Sequence, residues 1–246
     1  MQAVILAAGR GQRLAPLTDK IPKCLVPIDN EPLLSHQIKA LRKWGIKKMY
    51  VVVGSHKEKV QEFLKGQSGI QIVENPNFAT TNIITSFSCA LSAVDSADDV
   101  VVIAGDVLFE DSIIGGLLAK EGDLILCVTK KQCSEEEVKV FIEGSRILKL
   151  GKKLDPESAY GEFLGVFKAG RKALKDIREI VDQMMVSKQV QGYLFDMINR
   201  LIQEKKKLVR AFDIGKALWE DIDIWEDVQR VTEKLQRKKQ PVLVKK

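Results

Sequence analysis

The sequence predicts an α/β protein with a Rossmann-like, mostly parallel mixed sheet that has helices on both faces. Short apolar runs alternate with segments whose apolar residues recur at helical spacing, and a glycine closely follows three of these runs. Wholly apolar runs are typical of parallel strands that are buried on both faces. Alternating strands and helices imply crossover connections, which place helices above and below one sheet.

Five strands and three helices are predicted in the first half of the chain. The strands are the apolar runs Val4–Ala7, Met49–Val53, Ile70–Val73, Asp99–Ala104 and Leu124–Val128. Each helix has one apolar face built from residues three or four positions apart. The predicted helices are Leu33–Trp44, which ends at Gly45, then Lys57–Leu64, and finally Ile83–Val94, which Asn82 precedes.

The second half is predicted to begin with a hairpin, because Glu143-Gly144-Ser145 separates two short apolar strands, Val138–Ile142 and Ile147–Leu150. The elements predicted after it are the strands Phe163–Phe167 and Lys207–Phe212 and the helices Leu174–Met185, Tyr193–Ile202 and Trp225–Leu235. No linker rich in Pro, Gly or Ser separates the halves. We therefore expect one domain over residues 1–246, whose second half covers the site.

Four polar or glycine-containing segments follow predicted strands, and these segments are Gly9–Arg13, Gly54-Ser55, Asn75–Asn82 and Gly105-Asp106. In open α/β sheets, ligands bind beyond the carboxyl ends of the strands. The sequence therefore predicts one site at this edge.

The loop after the first strand is suited to a triphosphate, since its glycines expose backbone N–H groups and Arg13 and Lys23 add positive charge. Two common phosphate motifs are absent. No Lys-Ser or Lys-Thr follows the loop as a Walker A motif requires, and Leu14 stands where the dinucleotide fingerprint has its third glycine.

The net charge of +6 is concentrated at the C-terminus, because residues 229–246 contain seven Lys or Arg and one Glu. The rest of the chain is neutral overall, which argues against a nucleic-acid partner. The basic segment is either a solvated helix end and tail or a contact for an anionic membrane surface or acidic partner.

Four cysteines without a C-x-x-C pair, and an N-terminus that starts with a strand, predict a cytoplasmic protein with free thiols.

The string Leu6-Ala-Ala-Gly-Arg-Gly-Gln-Arg-Leu14 followed by Pro22-Lys23 resembles the signature of the sugar- and polyol-phosphate nucleotidyltransferase superfamily. Gly105-Asp106 and Trp219-Glu-Asp-Ile-Asp223-Ile-Trp-Glu-Asp227 resemble its two acidic segments, although Ile224 stands where the family often has Thr. The resemblance implies a GT-A-like nucleotidyltransferase fold. It also divides the chain into an NTP-binding half (1–130), an acceptor-binding half (131–228) and the basic end (229–246).

The resemblance also implies roles for individual residues. Lys23, Arg13 and Asp106 are the expected catalytic residues, and Asp106 and Asp223 the expected Mg²⁺ ligands. The expected NTP-binding residues are Leu6, Ala7, Ala8, Gly9, Gly11, Gln12, Arg13, Gly54, Asn82 and Ser86. As alternatives, Asp106 is a turn residue, Asp223 caps the last helix, Asp221 is the ligand instead, and Ser86 bonds only to backbone.

Two further strings resemble cytidylyltransferases. Glu74-Asn-Pro76 with Thr81–Ser86 resembles phosphocholine and aminoethylphosphonate enzymes, and Ile147–Lys153 with Gly161–Gly165 resembles these and the inositol-phosphate enzymes. They imply CTP as the nucleotide and acceptor contacts from Glu162, Gly165 and Lys152, with Lys153 as the alternative to Lys152.

A chain with 6% aromatic residues offers few faces for a quaternary ammonium, so inositol 1-phosphate is the preferred acceptor. Phosphocholine, an aminophosphonate and hexose 1-phosphates remain alternatives.

A silent nucleotide sensor is the non-enzyme alternative, but it would be expected to lack Lys23 or one of the acids. A downstream membrane phosphotransferase at the basic tail and a homo-oligomer are further partners that the sequence leaves open.

Overall fold

The structure is a computed structural model that describes residues 1–239, so Lys245 and Lys246 of the predicted basic tail lie outside the described residues. Within residues 1–239 it contains seven α-helices and thirteen strands. The helices are α1 Leu33–Lys43, α2 Lys57–Leu64, α3 Ile83–Ala93, α4 Asp111–Leu118, α5 Arg171–Val186, α6 Leu194–Glu204 and α7 Trp225–Lys239. The strands are β1 Gln2–Ala7, β2 Pro27–Ile28, β3 Glu31–Pro32, β4 Lys48–Val53, β5 Ile70–Glu74, β6 Val100–Ala104, β7 Val107–Phe109, β8 Leu124–Lys130, β9 Lys139–Glu143, β10 Arg146–Gly151, β11 Gly161–Ala169, β12 Arg210–Asp213 and β13 Trp219–Asp221.

Nine of these strands form one mixed sheet in the order β5-β4-β1-β6-β11-β8-β12-β10-β9. The first four run parallel, as the alternation of strands and helices predicts. The strand β11 then lies antiparallel between β6 and β8. The predicted α/β class with a mixed sheet is confirmed, and the hairpin predicted around Gly144 is the antiparallel pair β9–β10.

Helices cover both faces of this sheet. Alternate side chains of a strand point to opposite faces, so Val4 and Leu6 pack with α3, α5 and α6, whereas Ala3 and Ile5 pack with α1, α2 and α4. Most residues of β1, β4 and β6 are buried on both sides, which explains their continuous apolar sequences.

A third, smaller core joins the two ends of the chain. Leu14 and Val26 from the signature segment pack against Ile222, Val228 and Val231 from the segment around α7. This core holds the first loop of the chain against its last described helix. Within residues 1–239, no helix is both long and apolar enough to cross a bilayer.

Candidate active site

Three carboxylates meet at the carboxyl edge of the parallel strands. Asp106 follows β6, Asp221 ends β13, and Asp223 lies two residues further on. The short strands β7 and β13 pair antiparallel, and the N–H of Ile222 donates to the Asp106 carbonyl at 3.0 Å. Pairing of these strands thus brings together segments more than 100 residues apart, and one oxygen from each carboxylate lies within 4.8 Å of the other two.

Lys23 and Arg13 neutralise this acidic cluster. The Nζ of Lys23 lies 3.0 Å from Asp106 Oδ2 and 2.7 Å from Asp223 Oδ1, and an Arg13 guanidinium nitrogen lies 2.6 Å from Asp223 Oδ2. Burial alone would lower the pKa of Lys23, but Asp106, Asp221 and Asp223 outweigh burial and raise that pKa above its ordinary value. Lys23 is therefore a fixed positive charge. Asp223 directs its carboxylate to these cations, and Asp227 bonds to the backbone before α7 instead.

Asp221 is the unsatisfied member of the cluster. Burial and the neighbouring Asp106 raise the pKa of Asp221 to about 8. Its Oδ1 is buried and has no hydrogen-bond partner among the described residues. Hard carboxylate oxygens are the ligands that Mg²⁺ prefers, and an orphaned buried oxygen is a group that a cation would satisfy. The donor set therefore fits a divalent metal ion.

Two further contacts fix the loops that carry these charges. Gln37 on α1 donates from Nε2 to the carbonyls of Ala104 and Val107, at 3.0 and 2.8 Å, which holds the turn that contains Asp106. Gly11 adopts a left-handed φ of 64°, and a Cβ there would lie 2.9 Å from the Lys23 Cβ. Only glycine lets the signature loop pass this close to Lys23.

A cleft of about 610 Å³ extends from the acidic cluster along the carboxyl edge of the sheet. Its wall includes these predicted site residues: Leu6, Ala8, Gly9, Arg13, Asn82, Ser86, Asp106, Lys152, Glu162, Gly165 and Asp223. Ala7, Gly11, Gln12 and Gly54 lie in neighbouring segments but are not part of this wall. The ligand contacts of all the predicted site residues stay predictions. Lys23 lies behind the cluster, where it touches two of the wall carboxylates.

Helix α3 contributes Ser86 and its N-cap residue Asn82 to the cleft wall. The Ser86 Oγ accepts a hydrogen bond of 3.0 Å from the buried amide of Asn75, and within residues 1–239 it makes no hydrogen bond to backbone. Asn82 caps α3 through the N–H of Ile83 and donates its own backbone N–H to Val190. Ser86 is also part of the cleft wall, so its hydroxyl is within reach of a ligand bound there.

The acceptor end contains charged residues of both signs. Glu162 is buried, and the Nζ of Lys131 lies 3.2 Å from it and 2.9 Å from Glu137. Burial raises the pKa of Glu162, although Lys131 opposes that effect. Lys152 stands at the exposed rim, 3.9 Å from Glu136.

Aromatic side chains that the sequence did not single out also form the cleft wall. These are Phe78, Phe163, Tyr193, Phe195 and Trp219. The Tyr193 and Phe195 rings stack with centroids 5.1 Å apart and planes 8° apart. The Trp219 indole donates to the Leu164 carbonyl at 3.2 Å. The chain is poor in aromatic residues overall, but the cleft is not, so overall composition does not argue against a cationic acceptor.

Comparison with known proteins identifies the kind of enzyme to which this site belongs. A family model described as a MobA-like NTP transferase domain matches residues 3–191. The chain belongs to this family. As an NTP transferase it is an enzyme of the nucleotidyltransferase class, and its family generally uses a divalent metal, which agrees with the acidic cluster.

Individual relatives of this NTP transferase are cytidylyltransferases. CTP:phosphoglutamine cytidylyltransferase of Campylobacter jejuni is 26% identical and is aligned over 95% of this chain and 100% of its own. Choline-phosphate cytidylyltransferase of Streptococcus pneumoniae is 28% identical over 95% of this chain and 97% of its own. The inositol-1-phosphate CTP transferase structure from T. maritima has a TM-score of 0.79 and 27% identity, and the match covers 96% of both chains. The predicted superfamily and GT-A-like fold are confirmed.

The metal-free NTP transferase is expected to lose stability between pH 5 and pH 8. Asp221 has a pKa of about 8 in the folded chain, against 3.8 for the ordinary carboxyl. Within this range the folded state keeps a proton that the unfolded state has lost, so the free energy of unfolding falls as the pH rises. Urea unfolding in EDTA at each pH measures the slope, and Asp221→Asn is expected to flatten it. An unchanged slope in Asp221→Asn would contradict the assignment.

Proposed function

We propose that this chain is a Mg²⁺-dependent CTP cytidylyltransferase that transfers CMP to the phosphate of a small phosphorylated alcohol. The observation that supports this most strongly is the meeting of Lys23 and Arg13 with Asp106 and Asp223 at one end of an open cleft. Fixed cations and hard oxygen ligands at one point are what a reaction between two phosphate anions requires. The C. jejuni, S. pneumoniae and T. maritima relatives support CTP as the nucleotide.

In the proposed reaction, an oxygen of the acceptor phosphate attacks the α-phosphorus of CTP. The bond from that phosphorus to the bridging oxygen of the β-phosphate breaks, and pyrophosphate leaves with the electron pair. No covalent enzyme intermediate is needed. Lys23 holds its ammonium against Asp106 and Asp223, so its charge would help to offset that of the two anions that approach this cluster. Arg13 is exposed enough to turn from Asp223 to the β- and γ-phosphates, and the Gly9–Gln12 amides add backbone donors.

Asp106 and Asp223 would hold the metal ion, with Asp221 as a third available carboxylate. When bound, a divalent ion draws charge from the phosphate oxygens and holds them in position. With a divalent ion on Asp106 and Asp223, these carboxylates would need less neutralisation by Lys23 and Arg13. Both cations would then be available to the phosphates of the nucleotide.

Ser86 and the backbone of residues 6–8 are proposed to contact the base. Asn75 donates to one lone pair of the Ser86 oxygen, and the hydroxyl keeps its own hydrogen for donation to the ligand. Cytosine presents N3 and O2 as acceptors on the edge that such a donor would meet. A donor at this position fits cytosine, and the choice of CTP rests on the cytidylyltransferase relatives.

Inositol 1-phosphate remains our first acceptor, with CDP-inositol as the product for phospholipid biosynthesis. Its hydroxyls suit the carboxylates and ammonium groups of Glu162, Lys131 and Glu137, and the T. maritima neighbour supports it.

One observation favours a second candidate, an acceptor with a quaternary or primary ammonium such as phosphocholine or an aminophosphonate. The stacked Tyr193 and Phe195 rings and the nearby carboxylates are the groups that bind such cations.

A substrate grid tests the function and separates the two acceptors. Pyrophosphate release is measured with Mg²⁺ for CTP, UTP, GTP, ATP and dTTP against inositol 1-phosphate, phosphocholine, aminoethylphosphonate and glucose 1-phosphate. A single strong signal with CTP and inositol 1-phosphate is expected. A strong signal with glucose 1-phosphate alone, or with a nucleotide other than CTP alone, would contradict the proposal. A signal with phosphocholine would establish the second candidate.

Tyr193→Ala provides a separate check on the acceptor. If the acceptor carries an ammonium group, loss of one ring face is expected to raise its KM about tenfold, while the KM for CTP stays the same. For an inositol phosphate the effect on KM should stay below about threefold, since no cation–π contact is lost. Comparison of the two acceptors in one variant removes any contribution from altered folding.

A further inference from the structure

The backbone around Asp223 is held from inside helix α7. The Asp227 carboxylate, in the first turn of that helix, accepts hydrogen bonds through Oδ2 from the N–H groups of Asp223 and Ile224, at 2.8 and 2.9 Å. A first-turn acid that bonds back to the residues before a helix satisfies N–H groups that have no partner within the helix. Here one of those N–H groups belongs to a carboxylate residue of the active site.

Arg230 fixes Asp227 in turn. Its guanidinium bonds to Asp227 Oδ1 at 2.6 Å and to Glu220, and Glu220 is also 2.7 Å from Lys234. Asp227 is only 7% exposed. Its carboxylate is therefore enclosed between the start of α7 and the Arg230 side chain. Burial would raise the pKa of Asp227, but the N–H groups of Ile224 and Asp223 and the charge of Arg230 lower it. We call Glu220, Asp227 and Arg230 the α7 brace.

The brace acts at the carboxylate residue that contacts both cations of the site. Asp223 Oδ1 lies 2.7 Å from Lys23 Nζ, and Asp223 Oδ2 lies 2.6 Å from Arg13. On the other side, Ile222 is fully buried and donates its N–H to the Asp106 carbonyl. Residue 222 is thus tied to the sheet side of the site and residue 223 to α7, so the Asp223 backbone is restrained from both sides.

We infer that Asp227 is a positioning residue for the metal-binding carboxylate of Asp223, and that Arg230 holds Asp227 in place. This inference rests on the metal role proposed above for Asp223. Groups that orient a metal ligand typically contribute 10- to 100-fold in metal affinity. Neither Asp227 nor Arg230 needs to touch the metal ion for this effect.

Mn²⁺ binding to the nucleotide-free protein tests the inference without reference to turnover. Free Mn²⁺ is measured by electron paramagnetic resonance in titrations of the wild type and of Asp223→Ala, Asp227→Ala and Asp227→Asn. We expect Asp227→Ala to raise the Mn²⁺ dissociation constant at least about tenfold. Asp227→Asn keeps one oxygen for both N–H groups but turns an NH2 group toward Arg230, so its constant is expected to lie between those of wild type and Asp227→Ala.

A matched control separates positioning from simple helix capping. Asp196 occupies the same place in α6, where its carboxylate accepts from the Tyr193 N–H at 2.8 Å. Asp196→Ala is expected to lower the unfolding midpoint by a similar amount without changing Mn²⁺ affinity. If Asp227→Ala also lowers only the midpoint, the brace merely caps a helix and the inference is wrong.

A double-mutant cycle tests whether Arg230 affects metal binding through Asp227. If Arg230 works through Asp227, Arg230→Ala adds less than about twofold to the Mn²⁺ dissociation constant of Asp227→Ala. If the two effects multiply, Arg230 acts by another route and its part of the inference is wrong.

If Asp223→Ala binds Mn²⁺ as tightly as wild type, the metal assignment in the proposed function fails, and the inference fails with it. If Asp223→Ala weakens binding and Asp227→Ala does not, the inference alone fails.

Discussion

Replacing Asp106 by Asn is expected to lower kcat by about 10³-fold while leaving the fold intact. The substitution keeps the size of the side chain but removes the charge that a divalent ion requires at this position. Lys23 retains its 2.7 Å contact with Asp223. Lys23 therefore still has an ion-pair partner in the variant. Steady-state pyrophosphate release measures the rate, and circular dichroism with thermal unfolding measures the fold.

The control for this variant lies five residues further along the chain. Asp111→Asn removes an equal charge from the start of α4, where Asp111 pairs with Lys43 at the surface, and its kcat should stay within about twofold of wild type. If Asp106→Asn turns over at a rate near that of wild type, Asp106 does not bind the metal.

Replacing Lys23 by Met is expected to reduce kcat by about 10²- to 10³-fold and also to destabilise the metal-free protein. The variant leaves Asp106, Asp221 and Asp223 close together without their shared cation. Breaking a fully buried ion pair costs about 3 to 5 kcal/mol. We expect a loss of about 2 kcal/mol, because the Asp106 and Asp223 side chains are 37% and 26% exposed.

Mg²⁺ makes this second prediction specific to the site. A divalent ion should replace part of the missing charge, so saturating Mg²⁺ is expected to raise the free energy of unfolding more in Lys23→Met than in wild type. Urea unfolding with Mg²⁺ and with EDTA measures the difference. An equal gain in both proteins would show that Lys23 and the metal ion do not share the same carboxylates.

Hydrophobic patterning predicts most of the sheet and its covering helices, since these depend on local periodicity. Helix α2 begins and ends at the predicted residues Lys57 and Leu64. Helix α4 was missed because Gly115 and Gly116 lower helix propensity in its middle. Glycine is needed there for packing, as a Cβ at Gly115 would lie 2.2 Å from the Trp44 ring. No local pattern reveals such a distant contact.

The short strands β7 and β13 were missed for a related reason. Each has three residues, and each exists only because the other pairs with it. The placement of β11 between β6 and β8 also depends on long-range pairing.

The candidate site could be predicted where a motif marks it. Lys23, Asp106 and Asp223 stand out by their neighbours in the sequence, and the structure brings them into contact. Their roles stay predictions. Asp227 and Arg230 look like ordinary helix charges. Lys131 directly follows the apolar strand β8, and this position at a strand end is a sequence signal for a site residue.

The aromatic pair in the cleft could not be predicted from composition. Tyr193 and Phe195 lie at the start of α6, a region with no motif. They reach the cleft because the segment before α6 is tied to α3, through the Asn82 N–H and Val190 carbonyl at 2.8 Å. Only the folded chain shows which of its few aromatic residues gather at one place.

The contact between Lys23 and Asp223 spans 200 residues, and it has a consequence for the order in which the protein is made. A ribosome that has translated as far as residue 204 has produced most of the sheet and six of the seven helices of residues 1–239. That nascent chain has the glycine loop, Lys23 and Asp106, but neither Asp223 nor the small core that holds the loop against α7. Premature termination in this region would therefore yield a partly folded chain without turnover. Cleavage of the exposed segment near Lys206 would inactivate the enzyme once the two fragments separate.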